Sequence, residues 1–224
     1  MGMNSIQFRD MTVGEIAARL GGATAIFRKS GIDFCCGGNV SLSEAARQRG
    51  ANLEELEEAL ATLNLCPPEV PQGTPALVDY ILHRFHEKHR RDIPELIKLA
   101  KKVEAVHREH EKVPKGLAML LVQAQQELEA HMQKEEQILF PSMVANYSGG
   151  LDMPIFVMRK EHEEHAGIIR ELEQVTSGFS LPGGACRSWQ ALYAGTECFV
   201  YELKEHIHLE NNMLFPRFQT RVTL

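Results

Sequence analysis

Two copies of one motif carry the residues best suited to chemistry in this chain. The first copy runs from His131 to Pro141 and the second from His206 to Pro216, and both read H-x-x-x-E-x-x-x-L-F-P. Residues four apart share one face of a helix, so each copy presents an imidazole and a carboxylate in the same direction. Two such pairs facing each other would bind metal.

A lone histidine precedes each motif at a matching distance. His86 lies 45 residues before His131, His162 lies 44 residues before His206, and each begins an H-E-x-H string. Taken singly, these residues would be surface histidines or solvated helix pairs, but the matched set indicates one two-helix unit used twice. The repeat predicts an all-α four-helix bundle with a metal site in its core. The candidate ligands are His86, His131, Glu135, His162, His206 and Glu210.

The ligand types favour particular metals. Nitrogen and hard oxygen donors without thiolate suit iron or manganese better than structural zinc. If both glutamates bridge two ions of roughly six-coordinate preference, and an oxo or hydroxo group also bridges them, about one position stays open on each ion. The site would then suit a small diatomic molecule or electron exchange. The H-E-x-H strings miss the zinc-protease spacing H-E-x-x-H by one residue.

Cys35 and Cys36 form a second candidate site, followed by Gly37 and Gly38. A helix start predicted at Ser41 would favour thiolate, and the glycines would leave both thiols accessible. From the residues alone, packing in a core is an equal alternative. A disulfide between neighbouring cysteines is strained, so we do not expect a structural bridge between them.

Helix signals divide the chain into three parts. Capping boxes predicted at Thr12–Glu15 and Ser41–Glu44, with leucine periodicity after Asn52, predict a small helical domain over residues 1–66. Four prolines mark a linker over 67–75, and the bundle takes 76–224.

The bundle is predicted to contain four long helices. The first has Thr74 as its N-cap and runs toward His107, and Pro94 either kinks it or begins a new segment. The second opens at Pro114 and bends or ends near Pro141. The other two are expected over about 153–175 and about 185–215.

Composition excludes several classes of protein. The 224 residues carry a formal charge of −6, which argues against nucleic acid as the main partner. Neither a membrane span nor a secretory signal is evident, so we expect a cytoplasmic protein without a membrane partner. Five cysteines are an odd number, which indicates reduced thiols rather than a disulfide framework.

Several segments together resemble one protein family. They are Asp33-Phe-Cys-Cys-Gly-Gly38, Val113-Pro-Lys-Gly116, the motif from His131 to Pro141, and Leu209-Glu-Asn-Asn-x-Leu-Phe-Pro216. They are similar to the hemerythrin-like di-iron proteins, within them the repair of iron centres family, also called iron-sulfur cluster repair di-iron proteins. The resemblance implies a hemerythrin-like bundle in which the six candidate ligands hold two non-haem iron ions. It further implies a cytoplasmic, often dimeric protein that restores iron-sulfur clusters damaged by nitric oxide or peroxide, with Cys35 and Cys36 as a redox or iron-handling pair.

Repair, by iron donation or by nitric oxide chemistry, is therefore the favoured function, with damaged iron-sulfur proteins and a small diatomic ligand as partners. One alternative is an enzyme proper, a nitric oxide reductase or peroxidase. Another is a sensor or store for oxygen, nitric oxide or iron. Oxygen transport is disfavoured because oxygen-carrying hemerythrins are described with an additional histidine.

Overall fold

A computed structural model describes residues 8–63, 70–146 and 149–219 of the chain. The regular secondary structure of its described residues is helical, without a β-strand, so the all-α prediction is confirmed. Contacts between Cα atoms divide the chain into two compact units. One consists of Met1–Leu77 with Lys204–Leu224, and the other of Val78–Leu203.

Four short helices lie in the amino-terminal part of the first unit. They are α1 (Val13–Arg19), α2 (Ala23–Lys29), α3 (Leu42–Arg49) and α4 (Leu53–Ala61), preceded by a 3₁₀ turn at Phe8–Asp10. The helices pack around buried apolar side chains that include Ile16, Phe27, Phe34, Leu42 and Leu60. This arrangement confirms the small helical domain expected at the amino terminus.

Side-chain caps fix where these helices begin. The Thr12 hydroxyl accepts from the Glu15 amide while the Glu15 carboxylate accepts from the Thr12 amide, so the predicted capping box forms. Ser41 caps α3 in only one direction, because Arg47 and Gln48 bind the Glu44 carboxylate instead. The second capping-box prediction is therefore only half right.

The predicted linker is mostly outside the described residues. Cys66 and positions 67–69 lie there, while residues 70–73 have no regular helix and α5 (Thr74–Ile81) follows. The Leu77 amide donates to the Gly73 carbonyl, so the helix begins one residue earlier than the Thr74 cap had indicated. The boundary between the domains at this linker stays a prediction.

Four long helical stretches form the predicted bundle. The first is α5, a π-helical turn at Leu82–His86 and α6 (Glu87–Val106), and α6 continues through Pro94. The second is α7 (Leu117–Lys134), a π-turn at Glu135–Leu139 and α8 (Phe140–Val144). The third is α9 (Asp152–Val175). The fourth is α10 (Arg187–His208), a π-turn at Leu209–Leu214 and a 3₁₀ turn at Phe215–Arg217.

Close helix contacts hold the second unit together. Within it, α6 packs on α7 and α7 packs on α9. A Cβ at Gly195 of α10 would lie 2.6 Å from Leu96 Cδ2, so the small residue lets α10 approach α6. Arg84 and Lys88 both bind the buried Glu202 carboxylate, which links the same two stretches. No helix of the described residues is both long enough and apolar enough to span a bilayer.

Candidate metal centre

All six candidate ligands are buried, each with at most 1% of its surface exposed. His131, His162 and His206 lie within α7, α9 and α10 respectively. The other three lie in the π-helical turns, and they are His86, Glu135 and Glu210. Six polar side chains this deeply buried need hydrogen-bonding partners or a compensating charge, since burial of an uncompensated carboxylate is costly.

The π-turns are the local feature that the sequence did not predict. In each turn an amide donates to the carbonyl five residues earlier: Glu87 to Leu82, Phe140 to Glu135, and Phe215 to Glu210. A single extra residue per turn re-aims the side chains that follow it, and π-turns occur often at functional sites. Two of these three turns end at the leucine of the Leu-Phe-Pro sequence that both motifs share. That shared sequence was the signal from which these two turns could have been predicted.

Glu135 lies between two imidazoles. Its Oε1 is 3.4 Å from His131 Nε2 and its Oε2 is 3.4 Å from His86 Nε2. His131 Nε2 is also 3.1 Å from His162 Nε2. The two oxygens of this one carboxylate therefore each lie near a different imidazole.

These separations match the spacing of donors around a metal. Two donors at adjacent positions on one ion, each with a bond of about 2.1 Å, are about 3 Å apart. In the second motif, His206 Nε2 is 3.0 Å from Glu210 Oε1, which is the same spacing. The residues therefore fit metal binding by both their type and their separation.

The ligand-type side chains form two overlapping groups. One contains His86, Glu135, His206 and Glu210, and the other contains His131, Glu135, His162 and Glu210. Within each group the ligand atoms all lie within 4.8 Å of one another. The two glutamates are common to both groups and the four histidines divide equally between them.

Carboxylates outside this set orient two of the histidines. Glu136 Oε1 is 2.7 Å from His86 Nδ1, and Glu161 Oε2 is 2.8 Å from His131 Nδ1. If each Nδ1 carries the proton and donates it to the carboxylate, each Nε2 keeps its lone pair for a metal. The hydrogen bond from His131 lowers the pKa of Glu161 to about 2. Sequence reasoning missed both acids, because neither belongs to the repeated spacing.

We expect Glu161→Gln to weaken metal binding without abolishing it. The amide lacks the charge that favours a protonated Nδ1 on His131, and loss of such a partner typically costs about 10–100-fold in metal affinity. Competition with a chelator of known affinity measures the effect. Glu163→Gln is the matched control, because Glu163 lies on the same helix and pairs with the exposed Lys160. Equal affinities for both variants would contradict this role of Glu161.

Three further histidines are buried near the ligands in sequence but belong to neither group. His165 contacts the His131 ring at a centroid distance of 4.9 Å, and His89 contacts Phe199 at 5.5 Å. Burial lowers the pKa of His208 to about 4, so its imidazole is neutral near pH 7.

The cysteine pair lies beside the turn that carries Glu210. The Asn211 side-chain amide donates to the Cys35 carbonyl at 3.2 Å, and that of Asn212 donates to the Phe34 carbonyl at 3.2 Å. Neither cysteine belongs to the metal groups. Cys36 is partly exposed, but Cys35 is buried, so the expectation that both thiols are accessible was wrong for Cys35. The two asparagine side chains bind the backbone of the cysteine loop, and the Cys35 side chain is buried within it.

Comparison with known proteins agrees with this architecture. Residues 77–218 match the family model of the hemerythrin HHE cation binding domain, and residues 9–64 match that of the ScdA_N domain, a domain of unknown function. The iron-sulfur cluster repair protein YtfE of Pectobacterium atrosepticum is 43% identical over 94% of this chain and 97% of its own length. The protein of that name from Citrobacter koseri is 42% identical over 95% and 98%, respectively. A probable iron-sulfur cluster repair protein of Haemophilus influenzae is 41% identical over 95% and 98%.

Proposed function

This chain belongs to the iron-sulfur cluster repair family with a hemerythrin HHE domain, and from that premise we propose that it restores damaged iron-sulfur clusters at a buried di-iron centre. The damage is that caused by nitric oxide or by oxidants such as peroxide. The protein acts by donating iron, by removing nitric oxide, or by both.

One observation carries the di-iron part of the proposal. Each oxygen of Glu135 faces a different imidazole at 3.4 Å, and Glu135 belongs to both ligand groups. A carboxylate in this position supports two ions rather than one. Each group would hold one ion, and Glu135 and Glu210, which belong to both groups, would be shared between the two ions. An oxo or hydroxo group that also bridges the ions would reduce the positive charge that two carboxylates leave uncompensated.

Iron is the metal that the donor set and the relatives' names both support. Four imidazoles and two carboxylates without thiolate are typical ligands for iron. Two bound iron ions would supply ferrous–ferric redox chemistry and a binding place for a small diatomic molecule. The protein's own residues bury the site, orient the imidazoles through Glu136 and Glu161, and present the cysteine pair on a loop that contacts Asn211.

Cell location and assembly complete the proposal. The family resemblance implies a cytoplasmic protein, a possible homodimer, and damaged iron-sulfur proteins as its partners. Light scattering of the purified protein measures its mass in solution. A monomer at cellular concentrations would remove the homodimer from the proposal and leave the repair function untouched.

A repair assay tests the function directly. An iron-sulfur dehydratase whose cluster has been damaged by nitric oxide or peroxide is mixed with the purified iron-containing protein, and recovered activity is followed with the cluster's absorption. We expect recovery with the iron-containing protein and none with the metal-free form. Absence of recovery would contradict repair. Repeated turnover of nitric oxide with an electron donor would instead indicate an enzyme, and reversible oxygenation would indicate a sensor or store.

The cysteine pair is expected to act in repair rather than in holding iron. The double variant Cys35→Ser with Cys36→Ser should keep its iron, because neither sulfur belongs to the ligand groups, and should lose repair activity. Iron analysis and the dehydratase assay measure the two effects separately. Cys198→Ser changes an exposed thiol elsewhere and is the control. Full repair by the double variant would contradict a role in repair and would indicate that the two cysteines only pack within the domain.

A further inference from the structure

The two neighbouring cysteines have different surroundings within one tight loop. Asp33 Oδ1 accepts hydrogen bonds from the backbone amides of Cys35 and Cys36, both at 3.0 Å. The same oxygen accepts from the Cys35 thiol at 3.2 Å. One carboxylate therefore fixes the loop backbone and the Cys35 side chain together, because all three donors converge on one atom.

Burial separates the two thiols further. Cys35 has 5% of its surface exposed, whereas Cys36 keeps a partly exposed side chain. A hydrogen bond with Cys36, together with burial and the nearby Asp33 charge, raises the pKa of the Cys35 thiol well above its usual value. Cys35 thus remains a protonated hydrogen-bond donor under conditions in which exposed thiols begin to ionise.

The loop is also held from the side of the metal-ligand turn. Asn211 binds the Cys35 carbonyl and Asn212 binds the Phe34 carbonyl, each at 3.2 Å. Asn212 Nδ2 also lies 2.9 Å from His208 Nδ1, and that ring nitrogen lies 3.2 Å from the Phe34 carbonyl oxygen. These contacts fix the peptide groups that precede Cys36.

The glycines after the pair keep this geometry compact. The Gly14 amide donates to the Gly38 carbonyl at 2.8 Å, and a Cβ on Gly38 would lie 3.0 Å from the Phe34 carbonyl oxygen. Backbone atoms cannot move aside as a flexible side chain can, so a side chain at position 38 would not fit beside Phe34. Cys35 is therefore buried in a loop whose backbone is held on both sides of the pair.

We propose that Cys36 is the thiol of the pair that reacts with low-molecular-weight disulfides, while Asp33 and Asn211 hold Cys35 buried beside it. The Cys36 sulfur releases its proton to solvent and attacks one sulfur of the disulfide. A new sulfur–sulfur bond forms, the original one breaks, and the departing thiolate takes up a proton. Closure to a Cys35–Cys36 bridge would be strained, so the mixed disulfide on Cys36 is the product that accumulates.

This assignment deepens the proposed function, on which it rests for its biological use, by naming the member of the pair that exchanges with sulfur compounds. The thiol chemistry itself requires neither bound iron nor repair activity. Repair and thiol selectivity can therefore be measured on the same preparation and can fail independently.

Glutathione disulfide is the probe for the selectivity of the pair. The full-length iron-containing protein is incubated with it, and fragmentation in a mass spectrometer assigns the adduct to position 35 or 36. Cys36→Ser is expected to lower adduct formation in this segment by about tenfold or more, and Cys35→Ser to leave a readily formed adduct on Cys36. Cys198→Ser should leave the segment unchanged. Adducts mainly on Cys35, or equally on both residues, would overturn the assignment.

Asp33 variants separate positioning from general folding. Asp33→Asn retains a side-chain oxygen that accepts from both backbone amides, so Cys35 should stay unmodified. Asp33→Ala removes that acceptor, and Cys35 should then form the adduct at a rate comparable with Cys36. Circular dichroism and iron content confirm that both variants are folded. Continued protection of Cys35 in folded Asp33→Ala would overturn the positioning role of Asp33.

Discussion

Replacing Glu135 with glutamine is expected to remove most of the iron from the protein. The variant keeps the size of the side chain, but only one of the two oxygens that face His86 and His131 remains. Loss of a partner outside the ligand set already costs about 10–100-fold in affinity, so loss of a bridging ligand should cost more than about 100-fold. Iron per chain, measured by elemental analysis after gel filtration, gives the result.

Glu127→Gln is the control for this prediction. Glu127 lies on the same helix two turns earlier and accepts a hydrogen bond from the exposed Gln123, so its loss should leave the iron content unchanged. Glu210→Gln should reproduce the Glu135→Gln result, because Glu210 also belongs to both ligand groups. A Glu135→Gln protein with a full complement of iron would contradict the bridging assignment.

Removal of the metal is expected to destabilise the fold strongly. Glu135 and Glu210 are both fully buried, and removal of the cations takes away most of the positive charge beside them, so that imidazoles at 3.0–3.4 Å must compensate the carboxylates instead. Breaking a buried charge pair costs about 3–5 kcal/mol. For a protein of this size, each kcal/mol corresponds to about 2–4 °C in Tm, so chelation should lower Tm by on the order of 10 °C. Calorimetry before and after chelation measures the shift, and added ferrous iron should reverse it.

Neutral variants test the physical reason for that loss. In the double variant Glu135→Gln with Glu210→Gln, the metal-free protein no longer buries two carboxylates, so its Tm should lie above that of the metal-free wild type. Chelator treatment should then change its Tm very little. An unchanged Tm on removal of iron from the wild type would contradict the view that the metal compensates the buried charge.

Local signals in the sequence were enough to predict the helices. The capping box at Thr12 and Glu15 formed because its two hydrogen bonds join residues three apart, which any helix start can satisfy. The third long helix was expected over about 153–175 and occupies Asp152–Val175. Pro94 did not end its helix, and the interruption lies instead at the π-turn that ends with His86. Propensity alone does not reveal π-turns, because tertiary packing decides where an extra residue is accommodated.

The candidate ligands were likewise accessible from spacing. His206 and Glu210 meet at 3.0 Å because residues four apart share a helix face, and the repeat supplied an equivalent pair in His131 and Glu135. The two acids that orient the histidines were not accessible. Glu136 reaches His86 across 50 positions, and no local rule relates residues so far apart.

The sequence by itself therefore determined the helices, the repeated ligand types and the family, since these follow from periodicities of a few residues and from motifs. Only the tertiary structure decided which side chains surround the ligands and the two cysteines. Asn211 meets the Cys35 backbone across 176 positions, and that contact, with the hydrogen bonds of Asp33, makes two adjacent and chemically identical thiols different. Burial and hydrogen bonding depend on atoms that packing brings together, and a linear spacing of residues does not contain them.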